Sequence, residues 1–335
     1  MRIEDTGTGM VLTQNITDKT GAILLEKGIT LTENHIQHLK HLGLSTIQAS
    51  HPLSQTLKRT IAPGLREELA DCFKGLFQLK AADVLNFFPP AAVVNRLHPT
   101  IDKVISEVAG LMDDMATLNL RQPFQTLEEH AANVCLLSVA TGLYLHFDVQ
   151  TLHELALGSL LHDLGKSMQP LEAHAKAYLH TIYGHELIMR CGLGTTIARI
   201  AAEHHETYSG TGYPKGLSSR NIHPLSRLVT ITNYYDCSLN RDGLSVNYRQ
   251  ELFESMLSDN ENRFDQNLVR AFWDTVPVFP SGSLVRLNTG QLAYIVRNNT
   301  HFPLRPMVRI VEDVASFDID LAMKLNLTIT ELILE

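Results

Sequence analysis

HHETYSGTGYP, residues 204–214, sets two adjacent imidazoles, His204 and His205, beside a glycine-punctuated Gly-Tyr-Pro turn. Upstream, His162-Asp163-Leu164-Gly165-Lys166 joins an imidazole to a carboxylate at a helix end and adds a cation within one turn. Metals that activate water near neutral pH are held by neutral imidazoles and carboxylates, and a dinuclear site needs a bridging carboxylate with further ligands for each ion. Here the candidate set is His130, His162, Asp163, His185, His204 and His205. These residues fall on four or five expected helices, the dispersal a helical bundle needs to project ligands inward from several sides. The expected fold is therefore mainly α.

Taken singly, His130 or His185 reads as an ordinary histidine, and a His-Asp pair arises by chance in many chains. The succession of HDLGK, HHE and GTGYP between 162 and 214 is far more specific. Working outward, Leu127, Val134, Leu137 and Leu145 share one helical face with His130, and Leu152, Leu155, Ser159 and His162 share another. Residues 55–121 are helical in pattern but broken at Pro63, Pro89-Pro90 and Pro99, which predicts two or three connecting helices.

Both chain ends differ from this middle. Met10-Val11-Leu12 and Ala22 to Leu25 read as two short strands. They precede a helix capped by Thr32, with Ile36, Leu39 and Leu42 on one face and Gly43 at its end. Residues 281–287 and 291–296 around Asn288-Thr289-Gly290 read as a hairpin, with Arg305 to Val311 as a third strand. The expected division is a β/α module over 1–54, a helical connection over 55–125, a metal-binding helical domain over 126–275 and a β-rich tail over 276–335. The two ends are expected to pack together as one small β-containing module.

Composition narrows the function classes. A hydrophobic share of 44% with 19% charged residues is that of a soluble globular chain. A net charge of −8 without Lys/Arg runs excludes a surface for a nucleic-acid polymer. Ala132 to Leu145, the longest apolar stretch, is too short and too often interrupted to span a membrane. Cys72, Cys135, Cys191 and Cys237 lack CxxC spacing and read as reduced, buried thiols of a cytoplasmic protein.

The motifs resemble the HD-GYP family, a branch of the HD phosphohydrolase superfamily, over about 126–275. The resemblance implies an HD-type helical bundle and hydrolysis of cyclic di-GMP to pGpG or GMP. The implied cofactors are divalent ions, iron or manganese, two of them here. It also implies roles residue by residue. His130 in EEHAANV, His162, Asp163, His185 in YGHELI, His204 and His205 become metal ligands, with Asp163 bridging as a catalytic residue. Lys166 lies beside the phosphate, and Gly212, Tyr213 and Arg241 join it in binding substrate. The flanking segments resemble modules that accompany this domain.

Several positions depart from the family pattern. Asn233 in ITNYYDC stands where the family places an Asp ligand, so one metal site loses a charge; Asp236, one turn on, is a weak substitute. Thr126 instead of a carboxylate before His130 argues against a third ion, Ser209 replaces the Asp before GxGYP, and the downstream segment shrinks to Leu239-Asn240-Arg241-Asp242. His174 and His180, between Lys166 and His185, read as surface or lid residues, with replacement of a ligand by one of them left open. Three readings therefore stand: a cyclic di-GMP phosphodiesterase, a degenerate relative that binds a cyclic dinucleotide or a signalling-protein partner without turnover, or the same hydrolysis acting on another cyclic dinucleotide. A homodimer is also left open.

Overall fold

The computed structural model describes residues 1–18, 21–50, 61–77, 91–112, 119–168, 178–240, 247–259, 261–311 and 317–334. Among them are ten α-helices and nine short strands. The helices are α1 Glu33–His41, α2 Pro63–Phe77, α3 Ala91–Leu111, α4 Leu127–Tyr144 and α5 Val149–Leu161. After these come α6 Leu179–Arg190, α7 Thr195–Glu203, α8 Pro224–Ser238, α9 Tyr248–Ser258 and α10 Gln266–Thr275.

Helix α4 is the central strut. Thr126 and Glu129 close a capping box at its start, which satisfies amides that would otherwise lack partners. Every residue from His130 to Gly142 is buried, so α4 is covered on all sides, by α2, α5, α8 and others, rather than along one stripe. It is the core helix expected from its apolar run, and no helix among the described residues is long and apolar enough to cross a membrane.

Pro63 opens α2, where its missing N–H costs nothing. Pro99, expected to break a helix, lies inside α3. Leu97, Ile101, Val104 and Val108 from the same helix are fully buried on both sides of it. Their burial, at about 1.5–3 kcal/mol per large side chain, outweighs the roughly 3 kcal/mol cost of an interior proline. Pro89 and Pro90 lie outside the described residues.

The C-terminal segment forms one antiparallel sheet in the order β8-β7-β6-β5-β9, from β5 Leu284–Leu287, β6 Leu292–Arg297, β7 Met307–Ile310, β8 Ile319–Asp320 and β9 Ile329–Leu334. The expected hairpin is β5-β6 and the third strand β7; β8 and β9 were not anticipated. Alternation divides the sheet between two cores. Val285, Leu287, Ala293 and Ile295 join the helical core, while Leu284 and Tyr294, paired across the strands, join the core of the N-terminal module. A sheet buried on both faces reads as a continuous apolar run, as Leu292-Ala293-Tyr294-Ile295-Val296 does.

The two chain ends thus pack together. Arg286 on β5 bonds both Asp5 and Glu331, and Arg2 bonds Asp5 and Glu331 as well. The N-terminal strands number more than the two expected. β1 Val11–Leu12 pairs with β4 Ala49–Ser50, and β2 Ile16–Thr17 pairs with β3 Ile23–Leu25. Helix α1 begins at Thr32 with a capping box and stops at Leu42 before Gly43, as its pattern predicts.

One backbone contact seats the site. A Cβ on Gly165 would lie 1.9 Å from the His180 carbonyl oxygen and 2.4 Å from the Gly184 nitrogen, so α6 meets the 3₁₀ turn Leu164–Met168 backbone to backbone. Gly165→Ala is expected to force these apart and cost at least about 1–3 kcal/mol, with lowered metal content. Gly184→Ala, whose Cβ would meet nothing nearer than 3.4 Å, should cost less. Denaturant titration and elemental analysis of both variants check this.

Candidate metal centre

Five helix ends and faces converge on Asp163. Helix α5 ends in His162, and Asp163 follows it; both are buried. His204 caps the C-terminus of α7, and His205 follows. His130 lies in the first turn of α4, Asn233 on α8, and His180 at the start of α6.

Three of the imidazoles are oriented through Nδ1. His162 Nδ1 donates to the Ser159 carbonyl at 2.8 Å, and His204 Nδ1 to the Ala201 carbonyl at 2.9 Å, each three residues back along its helix. His130 Nδ1 donates to Asp236 Oδ2 at 2.7 Å. In all three, Nδ1 carries a proton and Nε2 is turned to the centre, the arrangement by which supporting groups orient metal-ligating histidines.

Around Asp163 the donors fall into two sets. His130, His162 and Asp163 form one; Asp163, His180, His204 and His205 form the other. On one side Asp163 Oδ2 lies 3.3 Å from His162 Nε2 and 3.8 Å from His130 Nε2. On the other, Oδ1 lies 3.5 Å from His180 Nε2 and 3.6 Å from His204 Nε2. The carboxylate is therefore shared, as a bridging ligand must be.

The fit to metal rests on unpaired atoms. His162 Nε2 and Asp163 Oδ1 are buried without a hydrogen-bond partner, an arrangement costing about 1–3 kcal/mol per group unless something binds them. A divalent cation satisfies nitrogen lone pairs and carboxylate oxygens together, so the donor set fits one.

Electrostatics agree. Burial alone would raise the Asp163 carboxyl, but the imidazoles of His162 and His204 with Lys166 hold it well below the usual carboxylate range. Burial pushes His204 down to about 3 and His205 lower still, so both are neutral and can ligate. For His130, burial opposes charge, yet the hydrogen bond to Asp236 and the neighbouring Cys237 draw it up to about 10 in the metal-free chain. Ligation at His130 Nε2 must therefore release a proton.

His180, read from sequence as a surface or lid residue, is buried in the second set; His185, read as the ligand, is exposed and belongs to neither. The reason is helical phase. His180, Thr181, Gly184, Leu187 and Ile188 form the buried stripe of α6, whereas His185 shares its side with Ile182, Glu186 and Met189. That periodicity was available in the sequence. His174 and Arg241 lie outside the described residues.

Asn233 is buried, and its Oδ1 lies 3.1 Å from His130 Nε2. Asp236 does not substitute for it as a ligand. Its oxygens are taken by His130 on one side and, on the other, by Arg121 Nε at 2.9 Å and Asn133 Nδ2 at 3.0 Å. Arg66 of α2 in turn donates to Asn133 Oδ1 and the Leu120 carbonyl. Asp236, Arg121, Asn133 and Arg66 thus brace His130, a role the sequence reading missed because these residues lie far apart along the chain. Thr126 is occupied as the α4 cap.

The GYP turn closes the other side. Gly212 passes so near that a Cβ would lie 2.4 Å from the His205 carbonyl oxygen. Tyr213 stacks on His205 with centroids 4.6 Å apart, and its peptide bond to Pro214 is cis. Buried Glu206 latches the loop by accepting from Lys215 N at 2.8 Å and Leu217 N at 2.9 Å. Ser209 shares hydroxyl hydrogen bonds with Thr207 and Thr211. Lys166 Nζ, part-exposed, donates to Asp163 Oδ2 at 2.5 Å.

Residues 111–268 match the HD domain family, and residues 284–334 match the KOW domain associated with HD domains. The match is thus to an HD domain over the helical core and to an HD-associated KOW domain over the C-terminal sheet. It is 26% identical over 270 residues to a cyclic di-GMP phosphodiesterase of Pseudomonas aeruginosa, covering 73% of this chain and 64% of that one. It is 25% identical over 195 residues to a cyclic di-GMP phosphodiesterase of Borreliella burgdorferi, covering 54% and 51%. A third relative, a 3'3'-cGAMP-specific phosphodiesterase of Vibrio cholerae, is 32% identical over 89 residues, covering 23% and 19%. The chain spans less than two thirds of the length of these curated relatives. HD-domain phosphohydrolases bind divalent metals, in keeping with the two donor sets of this chain.

Asp236→Asn removes the charge that fixes His130. The expected result is a loss of about 10–100-fold in metal affinity, the usual effect of deleting a group that orients a ligand, confined to one of two binding steps. Calorimetric metal titration resolves the steps; equal weakening of both would contradict the separation into two sets.

Proposed function

We propose that this chain is a divalent-metal-dependent phosphodiesterase that hydrolyses cyclic di-GMP to pGpG or GMP. The observation that supports it most is Asp163, a buried carboxylate whose two oxygens face two separate imidazole sets. Two ions, iron or manganese, fit this reading, one held by His130, His162 and Asp163 with Asn233, the other by Asp163, His180, His204 and His205. When bound, such ions polarise a phosphoryl oxygen and lower the pKa of water.

The chain's own residues supply the rest. His204 and His205 stay neutral, His130, His162 and His204 are oriented through Nδ1, and Asp163 stays ionised. Lys166, within reach of solvent and tied to Asp163, is placed to meet a phosphodiester oxygen and offset its charge. Gly212 lets backbone approach the ligand without a side chain in the way, and Tyr213, packed flat on His205, offers a wall beside the phosphate. Glu206 holds that wall in place. The similarity to cyclic di-GMP phosphodiesterases supports the substrate class.

The second reading, a protein that binds a cyclic dinucleotide or a signalling partner without turnover, is favoured by one observation. Asn233 brings no charge to a position beside His130, so that ion is held more weakly than by a carboxylate.

Anaerobically purified chain loaded with Fe(II) or Mn(II) should convert cyclic di-GMP to linear product on chromatography. The His162→Ala/Asp163→Ala variant should yield none. Parallel incubation with 3'3'-cGAMP measures the substrate preference. Binding of cyclic di-GMP by calorimetry with no product from either metal would establish the second reading in place of the first.

A further inference from the structure

Cys237 lies one helical turn beyond Asn233 on α8, so both side chains occupy one face. The expectation that all four cysteines are buried fails here: Cys72 and Cys135 are buried and Cys191 is half-buried, but Cys237 is exposed. Its sulfur lies beside the metal centre. Sγ lies 3.4 Å from Asn233 Oδ1 and 4.0 Å from His130 Nε2, while His130 Nε2 lies 3.1 Å from Asn233 Oδ1. Three donor atoms of different chemistry thus form one small triangle.

We infer that Cys237 is a metal ligand, its thiolate joining His130 Nε2 and Asn233 Oδ1 on the ion that His130 holds. This rests on the metal centre proposed above, and it adds a residue that the motif pattern does not supply.

Three observations carry it. Metal–sulfur bonds run to about 2.3 Å and metal–nitrogen bonds to about 2.1 Å, so two such donors share an ion at separations up to about 4.4 Å. The 4.0 Å between Cys237 Sγ and His130 Nε2 falls within that reach, while the donor atoms of His162 and Asp163 lie farther from the sulfur. Independently, the buried His162 Nε2 lacks a hydrogen-bond partner in the same donor set as His130, so that set is not closed by protein contacts. Finally, charge balances. Asn233 withholds the negative charge that a carboxylate would bring, and a thiolate on the same helical face restores it.

The chemistry is coordination without redox change. The thiol loses its proton to solvent as the metal–sulfur bond forms, and no other bond breaks. Sulfur is a soft ligand, so it shifts preference at this position towards Zn(II), Fe(II) and Co(II) and away from Mn(II) and Mg(II). Asn233 and Cys237 then act as a pair.

The test uses the whole chain, stripped of metal and titrated with Co(II). The expected result is a near-ultraviolet thiolate-to-cobalt charge-transfer band in the wild type and in Cys191→Ala, but not in Cys237→Ala. Co(II) affinity at one step should fall roughly tenfold or more in Cys237→Ala, at least the effect of losing a supporting group, while Mn(II) binding changes less. Independently of any variant, iodoacetamide labelling read by peptide mass spectrometry should show Cys237 protected when Zn(II) is added. Co(II) binding without the band, a band that survives in Cys237→Ala, or equal labelling with and without Zn(II) would overturn the inference. A band without turnover of any cyclic dinucleotide would leave Cys237 as a ligand and remove only the hydrolase reading; turnover without a band would do the reverse. No Co(II) binding at all would overturn both.

Discussion

A single carboxylate, buried among imidazoles, organises this molecule. Asp163 has no water to solvate its charge, so its charge is tolerable only because His162, His204 and Lys166 surround it and because its remaining lone pairs are offered to a cation. That requirement reaches outward. It demands helix ends rather than helix middles at His162 and His204, where the chain can turn both a ring and the next residue inward. It also demands the close passage at Gly165 that lets α6 deliver His180.

The second tier of residues converts a loose cluster into an oriented one. Each of three imidazoles gives its Nδ1 proton to an acceptor fixed by the fold, two of them backbone carbonyls within the same helix. The third depends on Asp236, whose own charge is balanced by Arg121 and whose position is fixed by Asn133. Arg66 extends this network into α2, so the connecting helix is coupled to the centre by hydrogen bonds as well as by packing. The GYP turn serves the opposite wall by similar means, with Glu206 replacing two backbone partners that an irregular loop cannot supply itself.

The β-rich ends stand apart from this chemistry but not from the fold. Alternation along β5 and β6 gives one face to the helical core and one to the N-terminal module, so the sheet is the shared wall between them. The ionic contacts of Arg286 and Arg2 at its edge are part-exposed and contribute modestly; the apolar faces carry the association.

Much of this was legible in residue order. HDLGK, the His pair and the GTGYP turn announce their chemistry locally, because each depends on neighbours within a turn of helix or loop. The capping boxes at Thr32 and Thr126, the hairpin at Gly290 and the buried character of α4 are likewise local. Residue order also held, in the helical period of Thr181, Gly184, Leu187 and Ile188, which histidine of α6 faces inward, although His180 and His185 carry the same chemistry and it is packing on Gly165 that seats that face. Residue order did not decide the fate of Asp236 or the exposure of Cys237, nor did it reveal that packing carries α3 through Pro99. Those outcomes belong to contacts between residues as much as a hundred positions apart, such as His130 with Asp236, which exist only once the helices have closed around the carboxylate.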